Sequence, residues 1–226
     1  MKKLMFRLAA GSVLLVLAVF LVLTYITMYK QNHAFPILEY HNISEFSECE
    51  DWSVSKEDFN QQMDYLNQHC RVVPLEELLE DMRQGRAVPR NTVALTFDDG
   101  YRSNYEIAFP VLQKYNFPAT IFIVVKSIEK GFIGDYPALQ WTDMKVMQNS
   151  GLIKIESHTY DLHEEIPESE TGKTTPSAVA HLLVDGKPES EAQHELRIET
   201  DLKKSRQIIE EQLGRETKIL SWPFGA

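Results

Sequence analysis

The chain has 226 residues, of which 43% are hydrophobic and 25% are charged, so it can bury the core of one large domain or two small ones. Its formal net charge at pH 7 is −10, and beyond residue 28 there are 20 basic and 33 acidic residues, a net charge of −13. Such a surface does not attract nucleic acid or anionic lipid. The two cysteines, Cys49 and Cys70, do not suggest a structural zinc site but could pair in an oxidising compartment.

The N-terminal segment is long and apolar. Residues 8–28 form a run of 21 residues without charge, and three basic residues precede it. A membrane-spanning helix needs about 20 such residues, whereas the apolar region of a signal peptide is usually about 7–15 residues long. We therefore expect residues 1–30 to be a cytoplasmic tip and an uncleaved signal-anchor transmembrane helix, with residues 31–226 outside the cytoplasm of a single-pass membrane protein. A cleaved signal peptide and a buried core helix are the alternatives.

After this segment, strands and helices begin to alternate. Residues 34–40 predict a first strand, and a helix with apolar residues at the 3.6-residue period follows Ser53 or Ser55 as its N-cap. Residues 74–85 predict a second helix, which has Pro in its first turn and Gly at its end. The run TVALTF at 92–97 is apolar and rich in β-branched residues, which predicts a buried strand.

The next segments repeat this alternation. Buried strands are predicted at 119–125 and 152–157, because both runs are apolar and short. The predicted helices are 103–115 with a break at Pro110, and 141–150 with Thr142 as its cap.

The last third of the chain contains one long predicted helix, at 190–214. The preceding residues, 164–189, have no periodicity and are rich in Pro, Gly, Ser and Thr, so we expect a long loop. Residues 217–222 predict a final strand. Apolar strands that alternate with helices are typical of an α/β protein with parallel strands.

Polar side chains follow three of the predicted strands. Asp98 and Asp99 come directly after 92–97, His158 and His163 follow the strand at 152–157, and a Pro-Phe-Gly turn follows the last strand. In parallel β/α folds the carboxyl ends of the strands meet at one edge, so these groups should lie together. Taken alone, Asp-Asp-Gly is common as a plain turn, and paired histidines in a polar loop are often solvated.

Two imidazoles and one carboxylate are a three-ligand set for a divalent metal ion, with positions left open for water and substrate. Such an ion can lower the pKa of a bound water to about 7, and a second carboxylate can accept the proton. Adjacent residues on an extended strand point to different sides, so Asp98 and Asp99 could divide these two roles.

Four motifs, ALTFDDGY, FPATIFIV, ESHTYDLH and SWPFGA, resemble those of the polysaccharide deacetylases of the NodB-homology type, carbohydrate esterase family 4. FPILEYHNISE is similar to the exported, membrane-anchored bacterial branch of this family, and the resemblance spans about residues 35–226. It implies an irregular (β/α) barrel and the removal of N-acetyl groups from an N-acetylglucosamine-type polysaccharide.

The resemblance also implies roles for individual residues. Asp98 matches the general base, and Asp99, His158 and His163 match the ligands of one divalent ion, Zn²⁺ first, with Co²⁺, Ni²⁺ or Mn²⁺ as alternatives. The backbone N–H of Phe224 would face the developing oxyanion, although most family members have Tyr at this position. The candidate substrate-binding residues are Pro223, Phe224, Gly225, Tyr101, Trp222 and Tyr160, with Trp141 as a further exposed aromatic candidate.

The resemblance implies one departure from the family pattern. Family members continue beyond the third motif to a Leu-x-His segment whose histidine is the general acid, whereas this sequence stops at Ala226. We therefore expect a C-terminally incomplete barrel that is inactive or a poor catalyst, unless His41, at the end of the first strand, is the acid. A membrane-tethered carbohydrate-binding pseudoenzyme and a metal amidohydrolase for a small molecule are the alternative functions.

Overall fold

The structure is a computed structural model that describes residues 17–25, 36–46, 50–168, 173–184 and 187–225. Residues 17–25 form a helix, α1. Within the described residues, no helix is both long and apolar enough to cross a membrane. Most of the signal anchor predicted at 8–28 lies outside the described residues, and so does Cys49, so the anchor and the disulfide stay predictions.

The strands are β1 Ile37–Tyr40, β2 Asn42–Ser44, β3 Ser53–Ser55, β4 Arg71–Val72, β5 Thr92–Phe97, β6 Ala119–Ile123, β7 Phe132–Ile133, β8 Tyr136–Pro137, β9 Ile153–Ser157, β10 Glu165–Glu168, β11 Lys173–Pro176, β12 Leu183–Val184 and β13 Lys187–Pro188. The other helices are α2 Lys56–His69, α3 Leu75–Arg83, α4 Phe109–Tyr115, α5 Val125–Lys130, α6 Trp141–Asn149 and α7 Glu191–Leu213.

The main sheet contains five strands in parallel. Its path is β1-β5-β6-β9, and β4 pairs with the start of β5. Both faces are covered, because Leu95 and Phe97 belong to one core cluster while Ala94 belongs to a second cluster against α3. This confirms the predicted parallel α/β construction. In the described residues the path is open from β1 to β9, so the expected barrel is not confirmed.

Most helix boundaries agree with the predicted ones. Ser55 is the N-cap of α2, since its Oγ accepts a hydrogen bond from the N–H of Asp58 at 3.1 Å. Thr142 was the wrong cap for α6, because the helix begins at Trp141, two residues earlier than a cap at Thr142 requires. The N–H of Gln140 donates to the carboxylate of Asp143 at 2.9 Å instead.

The predicted break at Pro110 is a change of helix type. Residues Asn104–Ala108 form a π-helical turn that leads directly into α4, and the N–H of Phe109 donates to the carbonyl of Asn104. Pro110 is the second residue of α4, so its missing N–H falls where π-helical hydrogen bonding gives way to α-helical hydrogen bonding. The chain therefore stays helical through the proline.

The loop predicted at 164–189 contains two antiparallel hairpins in its described parts, β10–β11 and β12–β13. The second hairpin is fixed to α7 through the buried carboxylate of Glu189, which contacts the guanidinium of Arg197 and lies 3.1 Å from Nδ1 of His194. His181 lies in the same cluster, stacked on His194. Because the guanidinium of Arg197 already neutralises the carboxylate of Glu189, the cluster is structural.

The final strand predicted at 217–222 is not formed; only Leu220 makes a bridge, to Ser157 of β9. The physical reason is a buried carboxylate. Glu156 Oε2 accepts hydrogen bonds from the N–H groups of Lys218 and Ile219 at 2.8 and 2.9 Å, and thereby takes two donors that a regular ladder would need. The segment is still held beside β9, which positions the residues after it.

Candidate active site

A cavity of about 620 Å³ opens at the carboxyl ends of β1, β5 and β9. It is lined by Glu39, His41, Trp52, Asp98, Asp99, Tyr101, His158, His163, Ser221, Trp222, Phe224 and Gly225. Groups from four separated parts of the chain therefore meet at one edge of the sheet, as parallel construction predicts.

The two aspartates are buried at the end of β5, each 4% exposed. They were expected to point to different sides, but both line the same cavity because Asp99 has a left-handed backbone, with φ of 70°. Gly100 follows with φ of 91°, and a Cβ there would lie 2.9 Å from Cγ2 of Ile123. The Asp-Asp-Gly sequence is thus a strained turn that directs two carboxylates into one cavity.

The contacts of the two carboxylates differ. Asp98 Oδ2 accepts a hydrogen bond from the hydroxyl of Ser221 at 3.0 Å and lies 3.7 Å from Nε2 of His158. Asp99 Oδ1 lies 3.0 Å from Nε2 of His163 and 3.6 Å from Nε2 of His158. Asp99 is therefore the carboxylate that faces both imidazoles.

The orientation of His158 is fixed by the segment after residue 217. Its Nδ1 lies 2.9 Å from the carbonyl oxygen of Ser221, and because a carbonyl only accepts, Nδ1 carries the proton. Nε2 then presents a lone pair toward the aspartates. The ring of His163 lies 5.0 Å from that of His158, centroid to centroid, so the two histidines converge as predicted.

The loop between the two histidines is held by α7. The carboxylate of Asp201 accepts hydrogen bonds from the N–H groups of Tyr160 and Asp161, both at 2.8 Å. The loop begins with Thr159, which is fully buried and has φ of 75°. The sequence analysis did not identify Asp201. The available signal is its spacing, since Asp201, Ser205 and Ile209 follow one another at intervals of four residues on the buried face of α7.

Burial and mutual contact shift the pKa values of all four groups. Burial raises the pKa of Asp98 to about 7, and the charge of Glu39 adds to this. Burial also acts to raise the pKa of Asp99, but contact with the two histidines outweighs it and the pKa is lowered. Burial lowers the pKa of His158 to about 4, whereas Asp99 raises that of His163 against the effect of burial. Asp99 is thus an anion beside a neutral His158.

These residues fit a divalent metal ion. The ligand atoms of Asp99, His158 and His163 lie within 4.8 Å of one another. Within the described residues, the buried Oδ1 atoms of Asp98 and Asp99 have no hydrogen-bond partner of good geometry. Buried carboxylate oxygens without a well-oriented donor are costly, and a cation coordinated by imidazole and carboxylate would satisfy them.

The remaining predicted residues divide into two groups. Tyr101, Trp222, Phe224 and Gly225 line the cavity, and the ring of Phe224 lies 4.7 Å from that of His163. Pro223, the first residue of the same turn, is buried.

Two aromatic candidates, Tyr160 and Trp141, do not line this cavity, and their role in substrate binding stays a prediction. The hydroxyl of Tyr160 donates to Glu129 at 3.0 Å, and Nζ of Lys204 lies 3.5 Å from the centre of its ring. Trp141 packs against the main core. Both residues stand at predicted element ends, but their side chains point into neighbouring structure rather than the cavity.

Three further residues line the cavity that were not predicted as site residues: Glu39, Trp52 and Ser221. It also brings His41 into the cavity, and the polar atoms of Glu39, His41 and Asp98 lie within 4.8 Å of one another. The carbonyl of His41 accepts a hydrogen bond from Nδ2 of Asn104 at 2.8 Å, which anchors its backbone. His41, the alternative acid of the sequence analysis, therefore lines the cavity together with Asp98.

Fold and site together define a parallel α/β protein with a candidate divalent-metal site at the carboxyl ends of its strands. Residues 85–226 match the family model for polysaccharide deacetylase, and the chain belongs to this family. Its fold is the α/β fold of the NodB-like deacetylases, as the solved structures below indicate.

Three relatives illustrate the similarity. The chain is 28% identical over 211 residues to the poly-β-1,6-N-acetyl-D-glucosamine N-deacetylase of Staphylococcus aureus strain MSSA476, covering 87% of this chain and 66% of that protein. The structure of IcaB from Ammonifex degensii is similar with a TM-score of 0.67 at 30% identity, covering 84% of this chain and 74% of that one. That of a de-N-acetylase from Aggregatibacter actinomycetemcomitans has a TM-score of 0.74 at 25% identity, covering 84% and 79%. The chain thus spans just under two thirds of the length of the curated relative.

Proposed function

We propose that the protein is a metal-dependent hydrolase that removes N-acetyl groups from an N-acetylglucosamine-type polysaccharide. The observation that carries this proposal is the convergence of Asp99, His158 and His163, with Asp98 beside them, in one open cavity. Membership of the polysaccharide deacetylase family and the activity for which the Staphylococcus aureus relative is named support the substrate class. Zn²⁺ is the first choice of ion because imidazole and carboxylate ligands suit it, with Co²⁺, Ni²⁺ and Mn²⁺ as alternatives.

The proposal extends to location and overall shape. The apolar run at 8–28 supports a signal anchor that tethers the domain to the cell membrane, with its cavity outside the cytoplasm. The alternating parallel strands support an irregular (β/α) barrel, in which the segment 217–222 would follow β9, beside which Leu220 already makes a parallel bridge. A surface location would bring the cavity to an extracellular polymer.

In this mechanism three of the four cavity residues bind the metal ion and the fourth accepts a proton. Asp99, His158 and His163 would hold a divalent ion, which when bound polarises the acetyl carbonyl and acidifies water. Asp98 is held by the Ser221 hydroxyl at one oxygen and leaves the other free, so it can accept the proton of the attacking water.

The second half of the reaction breaks the carbon–nitrogen bond. Water supplies the oxygen that becomes acetate, and the amine must gain a proton as it leaves. His41 faces the same cavity as Asp98 and is the group we assign to this protonation. The backbone N–H of Phe224 is the proposed donor to the developing oxyanion. Most family members have Tyr at this position, but Phe keeps the same backbone N–H.

The full chain should release acetate from an oligomer of β-1,6-linked N-acetylglucosamine. Treatment with a chelator should stop the release, because it removes the metal ion, which is the Lewis acid of the proposed reaction. Stoichiometric Zn²⁺ should restore the release. Acetate is measured with a coupled enzymatic assay. If the metal-loaded protein binds the oligomer but releases no acetate, the protein is a carbohydrate-binding pseudoenzyme and the proposal is wrong.

Asp201→Asn should weaken zinc binding about 10- to 100-fold, the usual cost of losing a supporting group behind the ligands. The variant keeps the shape of the side chain but turns an amide NH₂ toward one of the two N–H groups that fix the loop between the histidines. Competition with a chromogenic chelator measures the affinity. Glu199→Gln, on the exposed side of the same helix, is the matched control and should bind zinc like the parent protein. An unchanged affinity in a folded Asp201→Asn protein would show that the loop does not need this support.

A further inference from the structure

An aromatic cluster of Trp52, Tyr101 and Tyr136 lies at the mouth of the cavity. The rings of Trp52 and Tyr101 are stacked, with centroids 5.4 Å apart and an interplanar angle of 22°. Tyr136 meets Trp52 edge to face at 5.3 Å and an angle of 89°. Trp52 is 40% exposed although it lines the cavity, whereas Tyr101 beneath it is 6% exposed.

The cluster is rigid because each member is fixed by other contacts. Tyr101 follows the Asp-Asp-Gly turn and makes an antiparallel bridge with Ala138. The hydroxyl of Tyr136, in β8, donates to the carboxylate of Glu50, two residues before Trp52. Glu50 also closes the turn into β3, since its carbonyl accepts from the N–H of Ser53 at 2.8 Å. The indole of Trp52 is therefore held by its stacking on Tyr101 and by its edge-to-face contact with Tyr136.

A fixed and partly exposed indole has a limited set of uses. Trp52 is 40% exposed, so a role limited to burying apolar surface would use only part of the hydrophobic stabilisation that its indole ring can provide. A pyranose ring carries a face of C–H groups that packs on an aromatic plane, while its hydroxyls stay in water. Because Trp52 borders the same cavity as Asp98 and His163, a sugar packed on it would neighbour the one that presents its acetyl group.

We propose that Trp52 is a stacking subsite for the sugar unit next to the one being deacetylated, so that the protein selects oligomers over the monosaccharide. This inference rests on the proposed deacetylase function. It identifies a substrate-positioning residue outside the four motifs, in the segment between β2 and α2. The expected consequence is an effect on substrate binding rather than on the chemical step.

Trp52→Ala should raise KM for a pentamer of N-acetylglucosamine about tenfold, the effect of one aromatic stacking contact, and leave kcat nearly unchanged. Trp52→Phe should retain most of the affinity because it keeps a smaller aromatic plane. For N-acetylglucosamine itself, kcat/KM should be the same in all three proteins, because the monosaccharide does not reach the subsite. Phe46→Ala removes an aromatic side chain that is 75% exposed and lies outside the cavity lining, and should change nothing.

Two outcomes separate this inference from the function on which it rests. If the parent protein releases acetate and Trp52→Ala, shown to be folded by its thermal melt, has the parent KM for the pentamer, the subsite is refuted while the deacetylase function stands. If the parent protein releases no acetate, calorimetric titration with the pentamer decides instead. Weaker binding by Trp52→Ala than by the parent supports the subsite, and equal binding overturns it.

Discussion

Asp98→Asn should abolish acetate release and keep the metal ion, whereas Asp99→Asn should lose the ion itself. The two carboxylates are adjacent and equally buried, but only Asp99 Oδ1 faces Nε2 of both histidines. Asp98 is bound to Ser221 through one oxygen and leaves the other for a water proton. Removal of a positioned general base costs about 10²–10⁴-fold in rate, and loss of one of three protein ligands removes tight metal binding.

The pair is tested by measuring zinc stoichiometry and acetate release on the same protein samples. Each variant is an isosteric change at a neighbouring position, so each is the structural control for the other. Ser221→Ala is a milder third variant, since it removes the hydrogen bond to Asp98 but keeps the carbonyl that orients His158. Equal loss of zinc from Asp98→Asn and Asp99→Asn would show that the roles have been assigned wrongly.

The strands and helices that build the scaffold could be predicted because their signals are local. β5 is buried at every position, and its sequence TVALTF is mostly apolar and rich in β-branched residues, so the predicted limits at 92–97 are those of the structure. The ends of α7 follow from its caps, Ser190 with Gln193 at the start and Gly214 in the left-handed conformation at the end. The grouping of Asp98, Asp99, His158 and His163 followed from one topological rule about parallel strands.

The errors arose where a distant side chain decides the local structure. Glu156 takes the N–H groups that would have made 217–222 a regular strand, and nothing within that segment indicates this. Asp99 has a left-handed backbone, and the next residue must be glycine because a Cβ at position 100 would meet Ile123, which lies more than twenty residues away. Trp52 is held at the cavity by ring contacts with Tyr101 and Tyr136. Such partners are separated by tens of residues, so no local pattern reveals them.

His41→Gln should lower kcat about 10²–10⁴-fold on N-acetylated oligomers while zinc binding and KM change little. The imidazole of His41 lies with Asp98 in the cavity, but Asp99, rather than His41, completes the set formed by the two motif histidines. Its loss should therefore affect the proton delivered to the leaving amine and not the capture of the ion. Glutamine fills a similar volume and retains hydrogen bonding, but it cannot donate a proton as an acid.

A change of leaving group tests this assignment directly. An aryl acetate ester releases a phenolate, which needs little protonation, so His41→Gln should hydrolyse the ester at nearly the parent rate while failing on the amide. Asp98→Asn should fail on both substrates, because each reaction needs the attacking water to lose its proton. His69→Ala, at the end of α2 and outside the cavity lining, is the matched control for losing a histidine and should behave like the parent protein on both. If His41→Gln is impaired equally on the ester and the amide, His41 does not protonate the leaving group, and the acid must be sought elsewhere.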